Sequence, residues 1–305
     1  MELRHLRYFV TVAEELHFQR AAKRLHIEQS PLSRAIKDLE TDLGVRLLER
    51  TTRCTTMTKA GKLFLAEARR ILASVEQARS AIKSVSLGYS QQLRIAITEG
   101  VPQHRISSLI AKQRQLNAEL DIRLYEMSPA TLQEALISQE IDLGLALHAP
   151  ESPKIESSSL WHDGLSALLP SEHPLASADT FTFSELTRYP VILPAAKGMN
   201  SAHVQIHRLV RQNNKHVNVV QLTDSISLMM TLVASGLGIG FASMAQLCGH
   251  GRNEVVIKSL AGQAPTITTY MLHNAQFIPD AVMPFMKLLE DDAPAQLAGI
   301  LDLAP

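Results

Sequence analysis

From Phe64 to Val85, the apolar residues Phe64, Ala68, Ile71, Val75, Ala78, Ile82 and Val85 alternate spacings of four and three without a miss. Seven positions in register make a narrow stripe down one helix, "KLFLAEARRILASVEQARSAIKSVSLG", roughly 40 Å long at the helical rise. Lys62, Glu67, Arg69, Arg70, Glu76 and Arg79 cover its other faces. A helix lying on its own domain buries a wider stripe. A seam this narrow suits pairing with the same helix of a second chain. Gly88, Tyr89 and Ser90 then mark a hinge. The chain therefore reads as a part before the seam, the seam, and a part after it.

Charge divides the same way. Of 30 Lys+Arg and 30 Asp+Glu, residues 1–90 carry 16 and 10, a net of +6, which leaves 14 and 20, a net of −6, for residues 91–305. A basic first third joined to an acidic remainder suggests a polyanion-binding module on a different kind of domain. With 46% hydrophobic and 20% charged residues the chain is globular rather than disordered. No apolar run approaches the ~20 residues that span a bilayer, and "MELRHLRYFV" has no apolar signal core. The expectation is a soluble cytoplasmic protein with no membrane partner. Cys54 and Cys248 are too few for a disulfide framework or a cysteine zinc site. A redox role for Cys54 is the sharper reading of that residue and an idle thiol the blander one.

Within the first third, Leu6, Phe9, Val10, Ala13 and Leu16 recur at helical spacing between Leu3 and Phe18. A short helix from about Gln19 to Leu25 follows, with Ala21 and Ala22 small enough to let another helix approach. His26, Ile27 and Glu28 make a turn. A third helix then begins with Ser30 as N-cap and Pro31 at the first helical position. Leu32, Ile36 and Leu39 form its inward stripe, while Gln29, Ser30, Ser33, Arg34 and Lys37 face away. This is the outline of a helix-turn-helix, whose second helix presents donors suited to base edges and phosphates. A solvated helix face is the competing reading. The threonine-rich run "ERTTRCTTMTKAG" favours a β-hairpin wing, where Arg50, Thr51 and Arg53 meet the DNA backbone or minor groove.

The segments "AAKRLHIEQSPLSRAIKDLE", "LGVRLLER" and "TKAG" closely resemble the winged helix-turn-helix of LysR-type transcriptional regulators over nearly all of the first sixty residues. The resemblance implies double-stranded DNA as partner, a dimerising linker helix, and an assembly that is a homodimer or homotetramer. It also admits RNA polymerase as a further partner. The expected domains are residues 1–60 for DNA binding, 61–90 for the linker helix and hinge, and 91–305 for regulation.

From Leu93 onward β-rich runs alternate with helical ones. "LRIAI", "LDIRLYE" and "IDLGLAL" read as strands, with helices at about Val101–Leu116 and Pro129–Ser138. "LSALLP", "PVILP" and "HVNVVQL" make a second set, with helices near Ala202–Arg211 and Ser225–Ser235. Alternation of this kind predicts parallel sheets covered by helices. The fold class expected is a multi-domain α/β chain with two α/β lobes, the first about 91–161 and 268–305 and the second about 162–267. "LYEMSPATLQEAL", "IDLGLAL", "SEHPLA" and "LVASGLGIGFAS" resemble the effector-binding domain of the same family, which has a periplasmic-binding-protein-like fold.

Ligands of open α/β sheets sit off the carboxyl ends of strands. That puts Thr98, Glu99 and Gly100 after the first strand, Ser128 and Pro129 after the second, and Ala146 after the third at the cleft. Ala196 and Lys197 join them from the second lobe, with Ser225 at a helix start and Phe241. The resemblance implies the same wall positions for a small-molecule effector. Family members that sense aromatic acids tend to have a small or hydroxyl residue near Glu99. Its carboxylate repels an anionic effector unless Lys197, His104 or Arg105 pairs with it, and suits a ligand carrying a donor or cationic group.

Two motifs resemble sites without their context. "SGLGIG" follows a helix and precedes a strand, the reverse of a dinucleotide fingerprint. His203 and His207 stand four apart in "HVQIH", but no Glu follows His203 as a zinc-protease helix requires. No nucleophile has a base nearby in sequence, so no catalytic residue, metal or cofactor is expected. The rival readings are an enzyme or solute-binding protein with an accessory helical domain, and a ligand-independent architectural DNA binder. A seam and a wing serve no catalysis, and an architectural protein needs no second domain.

Overall fold

Three short helices open the chain: α1 (Leu3–Glu15), α2 (Phe18–Arg24) and α3 (Gln29–Leu43). Helices of this length are marginal alone, so packing must hold them. Leu6, Phe9, Val12, Phe18, Leu32, Ile36 and Leu39 bury together in one core, each contributing about 1.5–3 kcal/mol relative to exposure. Ala21 and Ala22 let α2 pack closely within it. The corner after α2 closes with two bonds: His26 N–H donates to the Lys23 carbonyl at 3.1 Å and Ile27 N–H to the Ala22 carbonyl at 3.0 Å. His26 holds φ 55°, a left-handed value more usual for glycine. In this computed structural model residues 1–50, 55–86, 88–178, 181–195, 204–213, 217–223, 225–248, 253–261 and 265–292 are described.

Contrary to the sequence expectation, Ser30 is not the N-cap of α3. The helix starts at Gln29 after an extended Glu28 that makes no side-chain cap, so Pro31 is the third helical residue. The first four N–H groups of any helix lack an intrahelical partner, so proline loses nothing at either place. A hairpin follows: β1 (Leu48–Arg50) pairs antiparallel with β2 (Thr55–Met57), Leu48 opposite Met57.

The 28-residue helix α4 (Lys59–Ser86) divides the expected seam. Ala68 is fully buried in the head core, Phe64 and Ile71 pack against it, and the Phe64 ring lies 5.2 Å from that of Phe9. These three positions serve the chain's own domain, because α1 alone leaves that face of the core open. Val75 is half-buried and Ala78 exposed. Ile82 and Val85 are 73% and 64% exposed, an unusual state for β-branched apolar residues.

The chain divides near residue 87 into two units. The second begins β3 (Gln91–Ile97), α5 (Gln103–Leu116), β4 (Leu120–Glu126), α6 (Pro129–Ile137) and β5 (Leu143–Ala146). Strand β3 pairs in parallel with both β4 and β5. Next come β6 (Ile155–Pro170), α7 (Phe183–Leu186), β7 (Val191–Pro194), α8 (Val204–Asn213), β8 (Val219–Thr223) and α9 (Ile226–Ala234). The remainder is β9 (Gly240–Ser243), α10 (Met244–Leu247), β10 (Val255–Ser259), β11 (Thr266–Asn274) and α11 (Met283–Asp292).

The sheets are not purely parallel as expected. Strands β7 and β8 form a parallel pair, but β11 runs antiparallel to both β5 and β6. Strand β6 is 16 residues long, where "LSALLP" suggested only its second half. Up to Gly164 it pairs with β11; from Leu165 it pairs with β9, and from Ser166 also with β10, all antiparallel. Strand β6 alone is hydrogen-bonded to both sets of neighbours, with β11 and then with β9 and β10.

Beside this change of neighbours Arg105 of α5 and Asp163 of β6 form a buried ion pair, and the Arg105 guanidinium lies 5.0 Å from the Trp161 ring centre. Burial pushes the Asp163 carboxyl up against the downward pull of Arg105. A carboxyl raised in the folded state contributes stability at low pH that is lost as pH rises through its folded value. Asp163→Ala leaves the buried Arg105 unpaired. Calorimetry on the full chain should show this unit destabilised by about 3–5 kcal/mol, with that pH-linked decline gone.

Candidate nucleic-acid interface and effector cleft

Helix α3 turns Leu32, Ile36 and Leu39 inward, which forces the intervening residues outward. Arg34 and Lys37 are exposed and Ser33 half-buried, one turn apart along the helix. With Ser30 and with Glu40 and Thr41 further along α3 they line an open groove, to which Gly44, Val45, Arg46 and Leu48 of the following turn and strand also contribute. Gln29 and Pro31 are exposed at the leading end of α3, outside the groove lining. Arg50 is the last residue of β1, while Thr51 and Arg53 lie outside the described residues, as does Cys54.

The groove exists because α3 stops sharply. Gly44 takes φ 66°, and Val45 N–H donates back to the Glu40 carbonyl at 3.2 Å. The chain then turns toward β1, so Arg46 brings a further cation to the reading face. Arg46 and Glu40 escaped the sequence reading, because their neighbours in space are set by this turn and not by helical spacing.

In the second unit Thr98 ends the β3 edge, 2% exposed, with its N–H donating to the Leu145 carbonyl at 3.0 Å. Its side-chain hydroxyl is buried without a protein partner. Glu99 is exposed, and Gly100 takes φ 87°. The Gly100 carbonyl accepts a bond from Gln246 Nε2 of α10 at 2.7 Å. Gln246 also completes a capping box with Ser243, so one side chain both starts α10 and holds the loop after β3.

Ser128 caps α6, its Oγ accepting from Thr131 N–H at 3.2 Å, and Pro129 opens that helix. Ala146 ends β5 in full burial. Ser225 is the N-cap of α9, accepting from Leu228 N–H at 3.2 Å. Phe241, on β9, is 1% exposed, and its ring centre lies 5.0 Å from that of Phe183. Its β9 neighbours pair with β6, which turns that face inward. Ala196 and Lys197 lie outside the described residues.

Thr223 went unnoticed in the sequence. It ends β8 as Thr98 follows β3, is 1% exposed, and likewise carries a buried hydroxyl without a protein partner. Its place at a strand's carboxyl end was the available signal. His207 donates to or accepts from no second histidine among the described residues; its Nε2 lies 2.7 Å from the Pro194 carbonyl. Among the described residues no group of three or more His, Cys, Asp or Glu side chains is placed to hold a metal ion, and no helix is long and apolar enough to cross a membrane.

Comparison with known proteins accounts for both units. Residues 3–62 match the lysR-family bacterial regulatory helix-turn-helix model and residues 87–294 the LysR substrate binding domain. The chain is 31% identical over 291 residues to the Hca operon transcriptional activator HcaR of Escherichia coli K12, covering 95% of this chain and 98% of that one. It is 36% identical over 240 residues to the uncharacterised regulator YnfL of the same organism, covering 78% and 81%. Full-length CbnR bound to its target DNA shares the fold, with a TM-score of 0.70 at 22% identity over 96% of this chain and 100% of that one. The chain thus belongs to the LysR family of DNA-binding transcriptional regulators, with a helix-turn-helix head and an effector-binding α/β domain.

Proposed function

We propose that Arg34, Ser33 and Lys37, with Ser30 and Gln29 at the leading end of α3, read an operator in the major groove. Arg50, Thr51 and Arg53 of the wing bind the flanking backbone or minor groove. The observation that carries this reading is the open groove that sets Ser30, Ser33, Arg34 and Lys37 beside the wing root. Arg pairs bidentately with guanine, Ser and Lys serve base edge or phosphate, and α3 adds N-terminal N–H groups for phosphate. Pro31 sets the first turn and donates nothing.

DNA binding and oligomerisation are typical of LysR regulators. The finer proposal is that the open part of α4, Val75, Ala78, Ile82 and Val85, meets its copy in a second chain. The exposure of Ile82 and Val85 supports it, since β-branched side chains in water lose the gain of burial. Pairing two heads lets two reading helices reach half-sites on one face of the duplex. RNA polymerase is then the partner of the DNA-bound assembly, in the cytoplasm.

For the effector, the proposal places the ligand off the carboxyl ends of β3, β4, β5 and β8, against Thr98, Glu99, Gly100, Ser128, Pro129 and Ala146. Ser225 and Thr223 belong to the same wall from the second lobe, and Ala196 and Lys197 are assigned to it from the sequence alone. Two buried hydroxyls lacking a protein partner, on Thr98 and Thr223, support this placing, because such groups ask for a polar ligand or water. Glu99 favours a ligand with a donor or cationic group. Ligand seated between lobes changes their pose and thereby the DNA-bound assembly.

Three outcomes follow. Arg34→Ala should weaken binding to a duplex selected from a randomised pool by about 1–3 kcal/mol, measured by gel shift, with the oligomer unchanged in ultracentrifugation. Ile82→Glu combined with Val85→Glu should give monomers at concentrations where the parent chain self-associates, with an intact head, since neither residue belongs to its core. A thermal-shift screen of metabolites on the full chain should find a stabilising ligand, worth about 2.7 kcal/mol at a hundredfold excess over Kd. Thr98→Val should abolish that shift while leaving the ligand-free melting temperature within a few degrees.

A further inference from the structure

The wing root, Arg46 and Leu47 with Leu48 at the start of β1, is held from two sides. From α3, Glu40 Oε1 accepts the N–H groups of Leu47 at 2.8 Å and Leu48 at 3.0 Å. From the start of α4, Thr58 Oγ1 donates to the Arg46 carbonyl at 2.8 Å, and Thr58 N–H donates to the Leu47 carbonyl at 3.0 Å. Thr58 Oγ1 in turn accepts from Gly61 N–H at 2.9 Å, which starts α4. Gly61 is required there, since a Cβ would stand 2.0 Å from the Leu47 carbonyl oxygen. The side chains of Leu47 and Leu48 are 1% and 2% exposed, so these backbone groups have no water to turn to.

Glu40 also borders the groove that carries Arg34 and Lys37. A carboxylate beside a polyanion opposes binding, so a face selected for affinity alone would exclude it. The wing strands have three residues each, too few for a two-stranded hairpin to hold its own position. We propose that Glu40 is a positioning residue for DNA recognition: through the backbone of Leu47 and Leu48 it locks the wing root to the reading helix, so the groove keeps one width. It touches no base. Recognition of cytosine N4 by a Glu carboxylate is the alternative role such a residue can have.

Both N–H groups use the same oxygen, so a glutamine supplies the same acceptor without the charge. The test uses the full chain and a duplex selected by the parent from a randomised pool. Glu40→Gln should bind within about twofold of the parent and select the same sequences on a second round. Glu40→Ala should bind at least about tenfold more weakly. Its Leu47 and Leu48 amides should exchange hydrogen faster, with those of Ile36 and Leu39 unchanged. A shifted base preference in Glu40→Gln overturns the proposal in favour of base reading. Glu40→Gln binding as weakly as Glu40→Ala, or Glu40→Ala binding like the parent, overturns it as well. Should Glu40→Ala fail to fold, Glu40→Gln decides alone: parent-like affinity with protected Leu47 and Leu48 amides supports the proposal, and loss of either overturns it.

Discussion

The larger unit is organised by one continuous strand that hydrogen-bonds to two different sets of neighbours. Over its first ten residues β6 has β11 as its ladder partner, and beyond Gly164 it has β9 and β10. Every backbone group in a buried strand needs a partner, so neither half of the sheet is complete without β6. Thr98 follows β3 of this sheet, whereas Thr223 ends β8 of the separate β7–β8 pair. The burial of Arg105 against Asp163 follows from the course of β6, since α5 packs where the strand changes neighbours. Gln246 adds a bond from the second half to Gly100, beside Thr98.

Much of this was legible in the sequence wherever burial follows a short period. Leu32, Ile36 and Leu39, and the strand "LRIAI", are one-faced or continuous apolar runs and bury where the pattern puts them, whereas "LDIRLYE" is a strand that buries Asp121 and exposes Leu124. The first half of β6 was not legible, because "ESSS" (Glu156 to Ser159) is polar and exposed, so its strand character comes from pairing with β11 and not from its own side chains. The antiparallel direction of β11 was hidden for the same reason: ladder direction is a property of connection, not composition.

Site residues divided along similar lines. The outward face of α3 could be read because helix geometry alone fixes it. Glu40 could not, since its partners stand seven and eight residues away across a turn. The contact of Phe241 with Phe183 could not be read either, because a strand's two faces differ only in what packs on them. The seam was read as one surface although Phe64, Ala68 and Ile71 meet α1 while Ile82 and Val85 meet nothing in their own domain's core. An unbroken sequence period does not reveal a change of partner along a helix.

That division makes α4 a lever. Its beginning is fastened to the head by Phe64, Ala68 and Ile71, and the arm from Ile71 to Val85, where Gln77 Nε2 donates to the Gln139 carbonyl, is roughly 21 Å long at the helical rise. Because the fastened end shares a core with α1, the arm cannot flex there without moving the head as a body. Over that length a tilt of about ten degrees displaces one end against the other by about 3.6 Å, close to the ~3.4 Å that separates successive base pairs. Under the pairing proposed above, small rotations of the two helices become steps along the operator.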